Sequence, residues 1–375
     1  MNRVSRAPSS AFLLSLLALP ALFGSPRPAV GADAPGAPAP NRSVTTRERS
    51  TSEIADGVYV IRHRDGPDTN PQGNTTVVIG DRDVLVIDSG YLPSSAREDI
   101  AQIREWSDKP VRYLVNTHWH PDHVRGNATY AEAYPGLSII GHTATPELEE
   151  GFDVPNLARY RARVAALEAR VKSGKGEDGK KLRDADRRAA VEELAGRRAA
   201  LREFDRYEPR YPQITFSDAM TIDLGNRVVQ LRFLGRGHSS GDIVAYLPRE
   251  RVLVAGDLLA TPVPYFFAGY PYEQIETLER LAAFDALAIV PGHGAPMQDK
   301  AFLQRTIEVM KDVRDQVVRE VRRRGSLSAK LEDVRKSVNT EIYAQEFAGT
   351  DKENLEFFRE SMDGLVKTLF EQVAK

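Results

Sequence analysis

The sequence predicts an α/β fold, because short β-rich apolar runs alternate with segments that have a helical pattern. The strands predicted near the start of the fold are 57–61, 74–79, 84–88 and 111–116. The segment 95–106 lies between two of these strands and is predicted as a helix. At 375 residues, the chain is long enough for one large domain with appended segments.

The first 32 residues have the pattern of a secretory signal peptide. Arg3 and Arg6 form a positively charged start, residues 11–23 are apolar, and residues 30–32 are small enough for a cleavage site. We therefore predict export to the periplasm or the extracellular space. The apolar stretch is short for a bilayer span, so we expect no stable membrane anchor, with an uncleaved anchor as the alternative.

Composition and charge indicate how the rest of the chain is organised. Residues 33–52 are rich in Ala, Pro and Gly and then in Arg, Ser and Thr, which predicts a disordered linker before a domain at 53–300. The chain has 51 Lys and Arg against 53 Asp and Glu, so it lacks the basic excess of nucleic-acid-binding proteins. It contains no Cys, so its stability depends on its core and not on disulfide bonds.

The segment 118–123 reads His-Trp-His-Pro-Asp-His and contains three of the seven His residues of the chain. His118 and His120 are two residues apart, so at the end of an extended strand their side chains point the same way. Pro121 cannot continue a strand ladder and turns the chain before the last two residues of the motif. One short segment can therefore face two adjacent metal positions, and we prefer this interpretation to a His-rich surface loop.

Three further candidate ligands occur much later in the chain. Each follows a β-rich apolar run and adjoins glycine, where the backbone can approach a ligand closely. These residues are His238, Asp257 and His293. Any one of them alone is more typical of a structural or capping role. Together with the first motif they supply seven N and O donors, enough for two metal ions that share a carboxylate.

In this order, the motifs His-x-His-x-Asp-His, Gly-His, Gly-Asp and Gly-His-Gly resemble those of the metallo-β-lactamase superfamily of hydrolases. The resemblance covers residues 53–300. It implies a four-layer αββα sandwich, in which two mixed β-sheets pack face to face and helices cover the outside. It also implies that loops at strand ends hold the metal ions at one edge of the sandwich.

The resemblance further implies how the ligands divide between the two ions. The first ion would be bound by His118, His120 and His238, and the second by Asp122, His123 and His293, with Asp257 bridging. Neutral imidazoles suit zinc, and a neighbouring site with carboxylates suits zinc, iron or manganese. Two adjacent ions can hold a hydroxide between them and polarise the substrate's carbonyl oxygen. Asp122 would be the catalytic residue that orients this hydroxide and moves its proton.

Other polar residues near the motifs are candidates for supporting roles. Asp88 ends a buried apolar run and is predicted to hydrogen-bond a metal ligand or the backbone. The polar loop 62–73 is a candidate flap over the metal ions, and its His63 is predicted as a surface or loop residue. His142 is predicted as a hydrogen-bonding residue at a strand end. Because Asp257 stands where some β-lactamases of the superfamily use Cys, the pattern is closer to that of thioesterase, lactonase and phosphodiesterase members.

Residues 155–207 are predicted as a helical-hairpin insertion within the domain. Apolar residues at spacings of three and four form a narrow seam along its first helix, and the glycines of 173–181 separate that helix from the second. We favour an exposed decoration, with a lid over the site or a dimer contact as alternatives. If the hairpin is a dimer contact, the predicted partner is a second copy of the chain.

An aromatic loop follows Asp257 closely and should lie near the metal ions. Tyr265, Phe266, Phe267 and Tyr270 are predicted to wall an apolar pocket for a small-molecule substrate. Packing against neighbouring segments is the alternative role for these four rings.

The last part of the chain, residues 301–375, is predicted as a C-terminal helical extension. The helical pattern covers 300–323, 327–344 and 354–373. We expect these helices to pack on the sandwich, and nothing in them indicates chemistry.

The sequence therefore predicts a secreted hydrolase with two divalent ions, expected to be zinc, that attacks an ester, thioester, lactone or amide carbonyl. A single-iron sulfur dioxygenase of the same superfamily is one alternative. Such an enzyme needs one metal, whereas Asp122, His123 and His293 indicate a second site. A non-enzymatic periplasmic metal-binding helper protein is the other alternative, and a complete set of seven ligands argues against it.

Overall fold

The computed structural model describes residues 48–374 except Glu177 and Leu327. The predicted signal peptide and most of the predicted linker lie outside the described residues. Within those residues, none of the helices combines the length and the apolar character needed to cross a membrane.

Two β-sheets form the centre of the fold. The first sheet has seven strands in sequence order, namely β1 (Ser50–Ala55), β2 (Val58–Arg62), β3 (Thr75–Ile79), β4 (Val84–Ile87), β5 (Val111–Val115), β6 (Ser138–His142) and β7 (Ile214–Phe216). Strands β1 to β4 pair antiparallel, and β4 to β7 pair parallel. The chain crosses to the second sheet only after β7.

The second sheet has five strands in the order β12-β11-β10-β9-β8. They are β8 (Ala219–Asp223), β9 (Val228–Phe233), β10 (Ile243–Leu247), β11 (Val252–Ala260) and β12 (Ala288–His293). All neighbours are antiparallel except β11 and β12, which are parallel. The parallel pair brings the carboxyl ends of two buried strands to the same edge of the sheet.

The described residues form ten α-helices, most of which pack on the outer faces of the two sheets. They are α1 (Pro93–Trp106), α2 (Pro121–Val124), α3 (Asn127–Ala133), α4 (Thr145–Ser173), α5 (Asp184–Glu203), α6 (Pro271–Ala282), α7 (Ala301–Arg324), α8 (Leu331–Ser337), α9 (Ala344–Ala348) and α10 (Lys352–Val373). A 3₁₀ turn at Glu341–Tyr343 precedes α9.

Three apolar clusters show how these layers are stacked. Valines and leucines from both sheets, among them Val60, Leu85 and Leu231, form the cluster between the sheets. A second cluster joins the outer face of the first sheet to α1 and α3, and a third joins the second sheet to α6, α7 and α10. The predicted αββα sandwich with a C-terminal helical extension is therefore confirmed.

The first strand differs from the sequence-based expectation. β1 begins at Ser50, inside the segment that we predicted as part of the linker, and pairs with β2. Its first four residues are exposed at the edge of the sheet. An edge strand of this kind buries too little apolar surface to leave the alternating pattern on which strand prediction depends.

Helices α4 and α5 form the predicted hairpin. Tyr160, Val164 and Leu167 of α4 pack against apolar residues of α5, as the seam predicted. The first helix begins at Thr145, however, and not at 155, and it continues through Pro155. We placed its start too late because the apolar seam starts only at Leu157.

The C-terminal extension has more breaks than we predicted. In place of one helix at 327–344, α8 is followed by an extended residue, Val338, and then by the 3₁₀ turn and α9. The backbone of Asn339 bonds to the side chain of Gln316 through both its N–H and its carbonyl group. This side chain replaces the partners that a continuous helix would supply.

Candidate metal centre

The His-rich motif lies directly after β5, at the edge where the strands of the first sheet end. Pro121 occupies the first turn of α2, where its fixed φ suits a helix start and its missing N–H needs no partner. Asp122 and His123 follow within this short helix, while His118 lies in a bend after β5 and His120 has an extended backbone directly before the helix. The change from extended to helical backbone separates the two pairs of side chains.

The second sheet contributes the other three candidate ligands. His238 lies in the loop between β9 and β10, and His293 ends β12. Asp257 lies within β11 and not at its end, since the strand continues to Ala260. The register between β11 and β12 shifts at Gly256, which has a φ of +55°. This bulge directs the following carboxylate to the edge that carries the imidazoles.

Side chains from the two sheets meet in a first group of donors. The group consists of His118, His120, His238 and Asp257, whose donor atoms all lie within 4.8 Å of one another. His238 Nε2 is 2.8 Å from His120 Nδ1, and Asp257 Oδ2 is 3.5 Å from His238 Nε2. His118 Nε2 is buried and has no hydrogen-bond partner among the described residues. An unpaired nitrogen that converges with other donors is what a bound cation requires.

A second group lies next to the first and consists of Asp122, His123 and His293. Asp122 Oδ2 is 3.1 Å from His293 Nε2, and the two imidazole Nε2 atoms are 3.2 Å apart. Two imidazole nitrogens and a carboxylate oxygen are a donor set that zinc, iron or manganese accepts.

Asp257 contacts both groups through different oxygens. Its Oδ1 is 3.2 Å from His123 Nε2, and its Oδ2 is 3.8 Å from His118 Nε2. A carboxylate in this position can bridge two cations. The geometry is therefore consistent with the shared carboxylate that the sequence predicted.

The pKa values of the His side chains differ between the two groups, because burial lowers them and nearby carboxylates raise them. Burial lowers the pKa of His120 to about 3, and it also lowers the pKa values of His118 and His238. Burial also lowers the pKa of His293, yet the nearby Asp257 and Asp122 carboxylates outweigh this effect and raise the value to about 9. The first group thus presents neutral imidazoles, whose free lone pairs can bind a divalent cation.

Asp88 supports the centre from behind, as predicted. Its carboxylate accepts hydrogen bonds from the backbone N–H of Thr117 at 2.8 Å and from the Thr117 hydroxyl at 2.7 Å. Asp88 Oδ2 is also 2.8 Å from His123 Nδ1. When Nδ1 donates to this carboxylate, the Nε2 lone pair of His123 faces Asp257 and His293.

Comparison with known proteins identifies the family. A family model described as the metallo-beta-lactamase superfamily matches residues 68–293, more than half of the chain. The chain belongs to the metallo-beta-lactamase superfamily. The matched segment contains all seven candidate ligands.

Two curated relatives in this superfamily are hydrolases by name. A linear primary-alkylsulfatase from Pseudomonas sp. is 26% identical over 250 residues, which are 63% of this chain and 45% of the relative. A type 2 metallo-beta-lactamase from Bacteroides fragilis is 33% identical over 89 residues, which are 22% of this chain and 36% of the relative. The chain therefore spans less than half the length of either relative.

Solved structures of the superfamily share the fold. A metallo-beta-lactamase from Pontibacter korlensis aligns with 70% of this chain and 99% of its own, with a TM-score of 0.50 and 18% identity. At this identity, the similarity supports the sandwich architecture alone.

Two His residues lie outside both donor groups of this superfamily member. His142 stacks on Phe233, and its Nδ1 accepts a hydrogen bond from the Ala144 N–H, as expected for a strand-end residue. His63, predicted as a surface or loop residue, lies in the loop after β2, but it is not at the surface, because it is 3% exposed. Its ring nitrogens lie 2.7 Å from Gly73 O and 2.8 Å from Asp99 Oδ2.

The loop that contains His63 is held in place at its carboxyl end. Gly73 N donates to the carbonyl of Asp122, and the Asn74 side chain donates to the carbonyls of Pro291 and Gly294, both at 2.9 Å. These bonds join the loop to the two segments that carry Asp122 and His293. Sequence reasoning missed Asn74, although an Asn directly before a β-branched strand was visible there.

The aromatic loop separates into two kinds of residue. The Tyr265 ring lies 5.4 Å from the ring of His238 and 4.8 Å from that of Phe267, and both aromatic side chains are half-buried. Phe266 is 3% exposed and belongs to the core cluster, so it is not available as a pocket wall. Tyr270 is buried beneath the guanidinium of Arg236 and is not available either.

The base of the hairpin contacts the metal motif directly. Phe152 of α4 packs on Trp119, whose ring lies 4.3 Å from that of His120. Arg125, two residues after His123, bonds to Asp153 of α4. Sequence reasoning missed these residues, because contacts between side chains far apart in the sequence leave no local pattern.

A separate surface cleft of about 870 Å³ lies between α1 and α5. None of the seven candidate ligands lines it. Glu203 at its wall accepts hydrogen bonds from Ser94 N at 3.1 Å and from Arg97 at 3.4 Å. The charges of this cleft are thus partly neutralised within it, and the cleft is separate from both donor groups.

Proposed function

We propose that this superfamily member is a hydrolase that uses two divalent ions, with zinc as the metal, to cleave ester, thioester, lactone or amide bonds. The observation that carries the proposal is the position of Asp257 between two adjacent donor groups. One group offers three imidazoles, and the other offers two imidazoles and the Asp122 carboxylate. The first ion would be held by His118, His120 and His238, the second by Asp122, His123 and His293, and Asp257 would join them.

When bound, the two ions would supply a water of lowered pKa and a Lewis acid for the carbonyl oxygen. The protein's own residues orient this chemistry. The side chain of Asp122 is 24% exposed, whereas that of His123 is fully buried. Asp122 is thus the carboxylate of the second group that reaches solvent, and its carboxylate oxygens can accept a proton and pass it outward.

A sulfate ester is the second candidate substrate. The matched alkylsulfatase spans more of this chain than the matched beta-lactamase does, 63% against 22%. The same donor groups could serve attack on sulfur as well as on a carbonyl carbon, so the fold and the ligands do not separate these substrates.

We also propose that the protein is exported. The support is the charged and apolar pattern of residues 1–32, described above. Association through the hairpin remains a prediction, which measurement of the molecular mass in solution would test.

Metal content and substrate range together test the proposed function. After loading with zinc and removal of excess metal, elemental analysis should give two equivalents per chain. A panel with an acetate ester, a thioester, a lactone, a β-lactam and an alkyl sulfate should show turnover that a chelator abolishes and zinc restores. Binding of a single iron, with oxygen consumption in the presence of a persulfide, would overturn the proposal in favour of a dioxygenase.

A pair of His variants provides the matched control. His118→Ala should lose at least one equivalent of metal, because the imidazole belongs to the first donor group. His142→Asn removes an imidazole outside both groups and keeps an acceptor for the Ala144 N–H. It should retain both equivalents, and equal metal loss in the two variants would contradict the assignment of the first group.

The tip of the hairpin should be dispensable for turnover. Side chains built at Gly174 and Gly179 would meet open space, so the tip makes few contacts there. We expect replacement of 173–181 by a shorter turn to leave kcat for a small ester within about twofold, since exposed tips tolerate change. Loss of turnover in a folded variant with both ions bound would show that the hairpin tip forms part of the site.

A further inference from the structure

The last long helix, α10, lies directly on the loop that carries the aromatic residues. Ser361 is completely buried and donates a hydrogen bond from its hydroxyl to Pro264 O at 2.6 Å. The same hydroxyl accepts a hydrogen bond from the Phe266 N–H at 3.1 Å. One side chain of the C-terminal extension thus satisfies two backbone groups of a loop 95 residues earlier in the chain.

The helix and the loop also touch through their backbones. A Cβ built at Gly364 would lie 2.8 Å from Phe266 O and 3.0 Å from the Cα of Phe267. Only glycine allows so close an approach without a shift of the loop. Ser361 and Gly364 are almost one helical turn apart, so they form a single contact surface on α10.

The loop held in this way carries rings beside the metal centre. Phe357, one turn before Ser361 on α10, lies 5.6 Å from the ring of Phe267 and 6.5 Å from that of Tyr265. Phe357 is buried beneath these two half-buried rings. We call the two half-buried rings, Tyr265 and Phe267, the aromatic wall, which rests on the buried ring of Phe357. The wall begins at Tyr265, which packs against the candidate ligand His238.

The wall is apolar, whereas the donor groups beside it include the Asp122 and Asp257 carboxylates. A tyrosine phenol has an ordinary pKa of about 10, so it is uncharged at physiological pH, as phenyl rings are. The two rings therefore add no charge beside the Asp122 and Asp257 carboxylates. A neutral aromatic surface that adjoins a hydrolytic centre favours the apolar part of a substrate over its polar part.

We propose that the aromatic wall binds the alkyl chain of the substrate, and that Ser361 is a positioning residue that holds the wall beside the metal centre. The substrate class is then an ester with an apolar chain. This inference rests on the proposed function for the reacting bond, and it assigns a role in specificity to the C-terminal extension.

Binding of carboxylate products tests the wall without any need for turnover. The full chain loaded with zinc is titrated calorimetrically with butyrate and with octanoate, which differ only in chain length. Burial of part of four additional methylene groups should make octanoate bind about 10-fold more tightly. Phe267→Ala should remove most of this advantage and leave the affinity for butyrate unchanged. Equal affinities of the two acids in the wild-type protein would overturn the inference.

The positioning role of Ser361 is tested with a hydroxyl control on the same helix. Ser361→Ala should reduce the affinity for octanoate about fivefold, with the affinity for butyrate and the metal content unchanged. Thr368→Val removes a hydroxyl that bonds to Gly364 O within α10, and it should bind both acids as the wild-type protein does. An unchanged octanoate affinity in folded Ser361→Ala would show that the hydroxyl does not position the wall.

A fallback variant and two activity measurements distinguish failure of the aromatic wall from failure of the proposed hydrolase. If Ser361→Ala does not fold, Phe357→Leu replaces the inner ring by an aliphatic side chain and should weaken octanoate binding in the same way. Retained octanoate binding in that variant would overturn the role of α10. If the wild-type protein prefers octanoate but hydrolyses no ester, the proposed carbonyl chemistry fails while the aromatic wall stands. If it hydrolyses octanoyl and butyryl esters with equal KM, the wall fails while the hydrolase stands.

Discussion

Asp122→Asn is expected to lower kcat for ester hydrolysis by about 100-fold or more, with a much smaller change in KM. Asparagine keeps the shape of the side chain but can neither carry the negative charge nor accept a proton. Burial raises the pKa of Asp122, but the neighbouring His123 and His293 outweigh it and lower the value to about 2, so the carboxylate is ionised at neutral pH. Steady-state kinetics with a small ester, together with metal analysis, measure the effect.

A second Asp variant controls for the loss of charge. Asp56 has a side chain that is 92% exposed, so Asp56→Asn changes the net charge equally and should leave kcat unchanged. If Asp122→Asn retains both ions and wild-type kcat, Asp122 has no part in the mechanism. If it loses the second ion, its role is ligation, and the kcat of the variant then reports on a centre with one metal.

Arg125→Met is expected to lower the free energy of unfolding by about 3–5 kcal/mol. Arg125 is 2% exposed, and its guanidinium lies 2.7 Å from Asp153 Oδ1 and 4.8 Å from the ring of Phe204. Methionine fills part of the space but leaves the Asp153 carboxylate buried without its cation. The Tyr207 hydroxyl still donates a hydrogen bond to Asp153 Oδ2 at 2.8 Å. One neutral donor is too weak to compensate for the buried negative charge.

Urea-induced unfolding of the zinc-loaded protein measures this loss. The double variant Arg125→Met with Asp153→Leu removes both charges, so it should recover part of the stability that Arg125→Met loses. A loss below about 1 kcal/mol in the single variant would mean that Asp153 becomes protonated or hydrated at little cost. The pair would then contribute little to the attachment of the hairpin.

The candidate ligands could be predicted because their chemistry is visible in the residue types themselves. His is rare in this chain, the first four candidates form one short motif, and the other three each adjoin glycine, so type and order sufficed. Which polar residues are buried was harder to predict from the sequence. His63 lies in a polar loop. Only the three-dimensional structure shows that it is buried and contacts Asp99, which lies 36 residues later in the chain.

The aromatic loop shows a different limit. Phe266 and Phe267 are adjacent and chemically identical, yet Phe266 is buried in the core, whereas Phe267 is half-buried and packs against Tyr265. A loop without regular periodicity has no rule that assigns neighbouring side chains to opposite faces. The role of Phe357 could not be predicted for another reason. Its contact with Phe267 spans 90 residues of sequence and depends on how α10 packs against the loop.

The division of the donor groups between the two sheets sets an order of events during biogenesis. A ribosome completes the first sheet, with His118, His120, Asp122 and His123, before it has made any strand of the second. Asp257 and the last imidazole emerge only with β11 and β12. Neither donor group is complete until then, and a chain that terminates before β12 cannot assemble the second group. Under the proposed function, acquisition of the metals would belong to the final stage of folding.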